Sequence, residues 1–358
     1  MNDSTKNITL KAGRRLPALG AVLLLAAGLT ACGGGKDNAG PGASGSAPAS
    51  SPVQSESASA SATPAASPTS DANNDAALLE SFKKLAQSDV SAAELSKALD
   101  DKLAQASPET GDALMREMLA YYERRISDVQ EKFNPQNVQQ ALQKLEWPPT
   151  DDQIAKLEDE KVRALVQETT DGGYKLETAE GMYFPVVDFA KLKRADTHVT
   201  AAMKDYIALL AVESDHKSAS DGGLVIDWAE VAARAAQAEA YVAAYPTSPE
   251  RDQAESLFAT RYIPFLLMGL SNTPVFDHET FKLDPKVKAA QQQAIADYPG
   301  TVTAKLTRQF LDVMEKTGGA VYKKGKNGQQ VDIPEVKAFY DSLESHAREL
   351  LDEANPNK

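Results

Sequence analysis

The amino-acid sequence predicts an all-α fold with one small β-hairpin inserted near residues 171–188. Three observations lead to this prediction: repeated helix-start signals, apolar residues at helical spacing, and a single segment with the strand period. The clearest start signals place a capping side chain before a proline, at Ser107-Pro108, Asn134-Pro135, Ser248-Pro249 and Asp284-Pro285.

Capping-box patterns predict further helix starts at Ser91, three residues before Glu94, and at Thr150, three residues before Gln153. Behind Ser107, apolar residues at helical spacing line one face of a long helix: Leu114, Met118, Tyr121, Tyr122, Ile126, Val129 and Phe133. We therefore expect helices over 75–88, 91–105, 108–132, 135–146, 150–167, 190–214, 227–245, 249–270, 285–298, 302–317 and 334–354. Within the apolar run 263–270, Pro264 should kink a buried helix.

The start of the chain has the pattern of a secretory signal. Basic residues precede a short apolar run over 18–29: Lys6, Lys11, Arg14 and Arg15. The run ends in Leu29-Thr30-Ala31-Cys32, and it is far shorter than the roughly 20 residues that a membrane-spanning helix needs. These features are typical of a cleaved signal peptide, which we place at 1–31.

The motif Leu29-Thr30-Ala31-Cys32 resembles the lipobox of bacterial lipoproteins. The resemblance implies cleavage after Ala31 and acylation of Cys32, the only cysteine in the chain. Because two or more acyl chains give stable anchoring, we expect attachment to the bilayer of a cell membrane or an outer membrane, with the body in the periplasm or the extracellular space. The alternative is a plain signal peptide followed by an incidental cysteine.

Residues 32–74 are predicted to be the lipidated cysteine and a disordered spacer, because they consist almost entirely of Gly, Ala, Ser, Pro and Thr. About 40 such residues span roughly 35 Å on average. Removal of residues 1–31 takes away four basic residues and one acidic residue, so the net charge falls from −13 to −16. Such an acidic body argues against nucleic acid and anionic headgroups as partners, and no basic patch interleaved with aromatic residues is evident.

The body divides into a helical part over 75–170, a β-hairpin insertion over 171–189 and a helical-hairpin part over 190–358. Two runs with strand patterns flank a turn at Glu180-Gly181, which predicts the hairpin. Its aromatic residues Tyr174, Tyr183 and Phe184 either pack on neighbouring helices or form an interaction surface. Trp147, in the corner Trp147-Pro148-Pro149, is either packed or an exposed docking point.

Two helix-to-helix corners have the same pattern, Tyr245-Pro246 and Tyr298-Pro299, each followed by a hydroxyl residue that can cap the next helix. They resemble the corners between helical hairpins in tetratricopeptide-like bacterial envelope proteins. The resemblance covers about 227–317, and its corners lie 53 residues apart rather than about 34. It implies an elongated, solenoid-like stack of helical hairpins whose faces bind other proteins, without catalytic residues.

Motifs for enzyme chemistry are absent from the sequence. The four histidines, His198, His216, His278 and His346, form no HExxH motif, and no GxSxG, Walker loop or GxGxxG is present. Glu213 and Asp215 beside His216, and Asp277 and Glu279 beside His278, could ligate a metal or be solvated surface. We therefore predict no catalytic residue, cofactor or metal site.

These patterns favour a non-enzymatic envelope lipoprotein, a tethered helical scaffold that binds an envelope protein or the cell wall. Two alternatives remain open. One is a ligand-binding lipoprotein with a pocket between the hairpin and the adjacent helices. The other is a hydrolase whose carboxylates the sequence does not locate.

Overall fold

The computed structural model describes residues 69–355, so the predicted signal peptide, Cys32 and most of the predicted spacer lie outside it. The described part is mostly α-helical, with four two-stranded antiparallel sheets. The predicted all-α fold with a small β insertion is confirmed. None of the described helices is both long and apolar enough to cross a bilayer.

The α-helices of the described part are α1 Thr69–Gln87, α2 Ala92–Leu103, α3 Pro108–Glu131, α4 Gln136–Leu142, α5 Asp151–Ala155, α6 Glu160–Asp171, α7 Ala201–Asp215, α8 Trp228–Ala244, α9 Arg251–Ser256, α10 Ile263–Met268, α11 Pro285–Asp297, α12 Val302–Lys316 and α13 Pro334–Ala354. A 3-10 helix covers Phe189–Ala195, and a π-helix covers Leu257–Tyr262. The strands are β1 Tyr174–Ala179, β2 Met182–Val187, β3 Ala219–Ser220, β4 Gly223–Leu224, β5 Gly269–Leu270, β6 Thr273–Pro274, β7 Tyr322–Lys324 and β8 Gln330–Asp332.

Helix α1 begins earlier than predicted, since residues 69–74 were assigned to the spacer. Its first turns contain mostly small and polar residues, so composition alone does not separate them from the preceding segment. The helix is fixed further along, where Phe82 is fully buried in the core. Packing of that later face therefore stabilises α1 more than the composition of its first turns does.

Local capping explains most helix starts. The predicted capping boxes of Ser91 with Glu94 and of Thr150 with Gln153 are both formed. Ser107 and Asp284 also cap their helices as predicted. Asn134 and Ser248 do not occupy the cap position, because α4 and α9 begin one or two residues later, without a side-chain cap.

Three predicted helices are interrupted. The segment 150–167 divides into α5 and α6 because Asp159 accepts hydrogen bonds from the backbone N–H groups of Lys161 and Val162 and starts a second helix. The segment 190–214 divides into the 3-10 helix and α7, which Thr200 caps. Between α9 and α10 the chain forms the π-helix, and Pro264 follows it in the first turn of α10.

The four hairpins connect helices. The predicted hairpin β1–β2 is present, and its turn residues Glu180 and Gly181 have φ values of 50° and 77°, as a two-residue type I′ turn requires. The pairs β3–β4, β5–β6 and β7–β8 were not predicted. Asp221-Gly222, with φ values of 49° and 73°, is a turn signal of the same kind that could have indicated β3–β4.

The two Tyr-Pro corners have the same backbone geometry. Tyr245 has φ −127° and ψ 61°, and Tyr298 has φ −119° and ψ 55°. Each tyrosine N–H donates to the carbonyl four residues earlier, which closes the helix. Across the first corner α8 packs against α9, and across the second corner α11 packs against α12. Helix α8 also packs against α11.

The described body has two hydrophobic cores. The larger one extends from Phe82 in α1 to Leu351 in α13, so it crosses the predicted boundaries at 171 and 190. The smaller one lies between the end of α3, helices α4 to α6 and the hairpin β1–β2. Its buried members are Phe133, Val138, Leu142, Ile154, Leu157, Val162, Val166 and Leu176.

Carboxylates of one helix bind the first backbone N–H groups of another. Asp75 in α1 accepts from Ser107 at the start of α3, and Asp112 in α3 accepts from Thr200 N at 2.8 Å, before α7. Glu239 in α8 accepts from Thr303 N at 2.9 Å, in the first turn of α12. Since these N–H groups have no partner within their own helix, each carboxylate connects two helices distant in sequence.

Candidate interaction surface

The hairpin β1–β2 distributes its aromatic residues over two faces. Tyr174 pairs with Val187 and Thr178 pairs with Tyr183, so Tyr174 and Tyr183 lie on the same face of the sheet. Phe184 pairs with Glu177 and lies on the opposite face. The three aromatic residues predicted as one candidate surface therefore do not form a single surface.

Tyr174 belongs to the core, so of its two predicted roles the packing role is correct and the interaction surface is wrong. Its side chain is 1% exposed, and its ring centroid lies 5.1 Å from that of Tyr122 in an edge-to-face contact. The Tyr122 hydroxyl donates to the carbonyl of Gly172 at 3.0 Å. The Tyr174 hydroxyl is buried and has no hydrogen-bond partner within the described residues.

Tyr183 and Trp147 form the aromatic contact on the outer part of this face. Their ring centroids lie 5.7 Å apart with an interplanar angle of 60°, and the Trp147 side chain is 41% exposed. Tyr183 in turn packs on the smaller core. We call Trp147 and Tyr183 the Trp147 surface. Phe184 is half-buried on the other side of the hairpin, beside the exposed Met182.

A buried glutamine holds Tyr183 in place. The Gln139 side chain donates to Tyr183 O at 2.7 Å and accepts from Tyr183 N at 2.9 Å, as a neighbouring strand would. The same amide donates to Phe133 O at 2.8 Å. Because Gln139 is only 6% exposed, these bonds fix the edge of β2 and the base on which Trp147 rests.

A polar groove of about 700 Å³ lies between α4, α5 and the start of α6. Its lining residues come from the chain on both sides of Trp147. Its lining residues are Asn137, Gln140, Ala141, Lys144, Leu145, Gln153, Lys156, Leu157, Glu158 and Asp159. No hairpin residue is among them. The space between the hairpin and α3, where a ligand pocket was one alternative, is filled by Tyr174 and Tyr122.

A dense group of ionisable side chains surrounds Glu213, at the end of α7. Its Oε1 accepts from Arg234 at 2.8 Å and from the Tyr262 hydroxyl at 3.0 Å. Its Oε2 accepts from Arg261 at 3.0 Å and from both the backbone N–H and the hydroxyl of Ser218 at 3.1 Å. Five donors thus occupy one carboxylate.

The Glu213 cluster has the chemistry of a structural ion pair. Burial opposes ionisation of Glu213. This effect is outweighed by the charges of Arg261 and Arg234 and by the hydrogen bonds from Ser218, which hold the pKa of the carboxyl below its ordinary value of 4.5. Burial and the adjacent Glu213 raise the pKa of Tyr262, which therefore remains a donor. With all its lone pairs occupied, this carboxylate has no free position for a reacting group.

The histidines lie apart from this cluster or at its edge. His216 is exposed with Nδ1 3.5 Å from Glu230, and His346 contacts Gln309 and Glu349. His278 packs edge-on against Phe276. Over residues 69–355, no three His, Cys, Asp or Glu side chains are grouped as metal ligands would be. Cys32 lies outside the described residues.

Removal of the unpaired Tyr174 hydroxyl should not destabilise the protein. We expect Tyr174→Phe to leave the free energy of unfolding unchanged or to raise it by about 1 kcal/mol, because a buried hydroxyl without a partner is costly. Tyr122→Phe, the matched control, should lower it by about 1 kcal/mol, because it leaves Gly172 O unpaired. Urea unfolding measures both, and a larger loss for Tyr174→Phe than for Tyr122→Phe would contradict this account.

Ionised Glu213 should contribute stability that depends on pH. Its pKa is lower in the folded protein than in the unfolded chain, so this contribution is present above about pH 4.5 and is lost as the pH falls through the folded pKa. We expect Glu213→Gln to lower the free energy of unfolding by about 3 kcal/mol at pH 7, with a smaller difference below pH 4.5. Glu80→Gln, at an exposed position, is the control, and a pH-independent difference for Glu213→Gln would refute the assignment.

Comparison of the chain with protein-family models, curated proteins and solved structures found no match. The resemblance of residues 227–317 to tetratricopeptide-like proteins thus stays a prediction based on the two Tyr-Pro corners.

Proposed function

We propose that the protein is a cell-envelope lipoprotein, anchored through acylated Cys32, whose helical body acts as a scaffold for another envelope protein. The anchor is supported by the motif Leu29-Thr30-Ala31-Cys32 behind a basic and then apolar segment, with Cys32 the only cysteine. The spacer composition of residues 33–68 supports a body held away from the lipid.

The observation that carries the docking role is the exposure of Trp147. A tryptophan that is 41% exposed, on a base held by Tyr183 and Gln139, presents a large apolar area at little cost in conformational entropy. Tryptophan is also enriched among the residues that dominate protein interfaces. The Trp147 surface is therefore the partner site that we propose.

The Glu213 cluster supports a scaffold rather than a hydrolase. It resembles a catalytic constellation, since a mostly buried carboxylate meets two arginines and a tyrosine. Its donors join α7 to the segment before β3, to α8 and to the π-helix. A preorganised catalytic carboxylate would need one open position facing a substrate.

The polar groove favours a second candidate function, the binding of a small polar ligand. The groove is open to solvent, and its volume of about 700 Å³ is large enough for a small polar molecule. Asn137, Gln140 and Gln153 bring amide groups to it, although Gln153 already completes the cap of α5. A ligand bound there would contact Leu145, two residues before Trp147, and could affect the Trp147 surface.

The anchor can be tested on native protein. Mass spectrometry of the N-terminal peptide should show cleavage after Ala31 and two or three acyl chains on Cys32, and the protein should fractionate with membranes. Cys32→Ser should abolish the lipid mass and release the body from membranes. An unmodified thiol at position 32, or an uncleaved N-terminus, would refute the anchor.

The Trp147 surface can be tested by site-specific photocrosslinking in cells. A crosslinker at the exposed position Glu146 should trap one discrete partner protein, and Trp147→Ala should reduce the yield at least tenfold because it removes the main apolar contact. Val225→Ala, at a similarly exposed apolar position (45%), is the matched control and should not alter the yield. Equal yields with and without Trp147 would argue against this surface.

A further inference from the structure

Four exposed lysines meet at one place on the acidic body. Lys323 and Lys324 lie in β7, Lys326 lies in the turn between β7 and β8, and Lys282 lies in the loop before α11. We call these four residues the basic hairpin. Three of the four lie within four consecutive residues, so the sequence already contains most of this patch, and the fold adds Lys282 to it.

Backbone pairing brings Lys282 beside the hairpin. Lys282 and Ala320 form an antiparallel bridge, Leu283 N donates to Gly319 O at 2.8 Å, and Val321 N donates to Phe281 O at 2.9 Å. Below them, Phe276 makes edge-to-face contacts with Tyr322 and Phe281, at centroid distances of 5.2 and 6.1 Å. The lysines therefore extend from an ordered base.

The lysines of the basic hairpin are not used in ion pairs. Within residues 69–355 none has a carboxylate oxygen within 4.0 Å, whereas Lys337, in α13, binds Asp341 at 2.6 Å. Lys324 donates only to the backbone carbonyl of Glu279, at 3.3 Å. Asp277, Glu279 and Asp284 flank Lys282, and Asp332 lies in β8, so the local excess of positive charge lies in Lys323, Lys324 and Lys326.

An exposed apolar side chain lies among these charges. Val331 is 42% exposed, and it pairs directly with Lys323, so both side chains lie on one face of the hairpin. An exposed apolar side chain beside the Lys323 ammonium group suits the interface of a bilayer, where acyl chains meet charged headgroups.

We propose that the basic hairpin binds the anionic headgroups of the bilayer to which Cys32 is attached, an inference that rests on the proposed anchor. The acidic charge of the body opposes this contact only weakly, because charges are screened beyond about 8 Å at physiological salt. A spacer with a span of roughly 35 Å keeps the body close enough for a weak contact to form repeatedly. The hairpin would then hold the body in one orientation at the membrane.

The contact can be measured without the lipid anchor. The chain from position 32, with Cys32→Ser, is mixed with vesicles of phosphatidylcholine alone or with 30 mol% phosphatidylglycerol (about one anionic lipid in three), and sedimentation gives the bound fraction. We expect binding only to the anionic vesicles. The triple variant Lys323→Gln/Lys324→Gln/Lys326→Gln should bind at least tenfold more weakly, since each lysine near a surface contributes about fivefold.

The matched control replaces three exposed lysines elsewhere, Lys84→Gln/Lys97→Gln/Lys132→Gln, which changes the net charge equally. It should bind within about threefold of the unsubstituted chain, because its lysines are spread over other helices. Equal loss in the two triple variants, or equal binding to neutral vesicles, would overturn the proposal.

A salt titration of the unsubstituted chain gives a second measurement that needs no variant. Binding to anionic vesicles should fall steeply between about 50 and 300 mM salt, because the Debye length shortens to roughly half over this range. Salt-independent binding would overturn the electrostatic contact. Because no lipid is attached in these experiments, failure here would leave the mass-spectrometric test of Cys32 unaffected.

Discussion

The interaction on which the centre of the described chain depends is the binding of one mostly buried carboxylate, Glu213, by five hydrogen-bond donors. The donors come from the segment before β3, from α8 and from the π-helix. Removal of a charged donor would leave a buried charge without compensation, which strongly destabilises the folded state. These elements are therefore fixed relative to one another, and the π-helix occurs where two consecutive residues, Arg261 and Tyr262, reach the same carboxylate.

Three connections between helices are two-stranded hairpins. Helices α7 and α8 are joined by β3–β4, α10 and α11 by β5–β6, and α12 and α13 by β7–β8. Adjacent hairpins bind each other: Asn272 N donates to Gly222 O at 2.8 Å, and Leu224 N donates to the Thr273 hydroxyl at 3.1 Å. Short two-stranded pieces are marginal alone, so this mutual support and the helices beneath them account for their order.

The sequence predicts what local interactions determine. Ser91, Ser107 and Asp284 start helices where their side chains reach the next backbone N–H groups, and the Tyr-Pro corners end helices as expected. Strands of two residues have no measurable period, so β3–β4 and β5–β6 were not predicted. Tyr174, Tyr183 and Phe184 were predicted as one group; the register separates Phe184 from the other two, and contact with Tyr122 shows that Tyr174 lies in the core. Trp147 was predicted to be either packed or exposed. One side of its ring packs on Tyr183, and its side chain remains 41% exposed.

The net charge of the chain does not indicate the basic hairpin, because the local charge at a surface depends on the fold. Charge summed over the chain describes solubility and long-range repulsion, whereas a contact at a surface depends on the charges within about one Debye length of it. The pairing of Lys282 with Ala320 sets that local charge, and it depends on the fold. The Trp147 surface rests on the smaller core, while the basic hairpin joins two helices of the larger core. A protein partner and a bilayer would thus be bound by different elements, and binding of one need not displace the other.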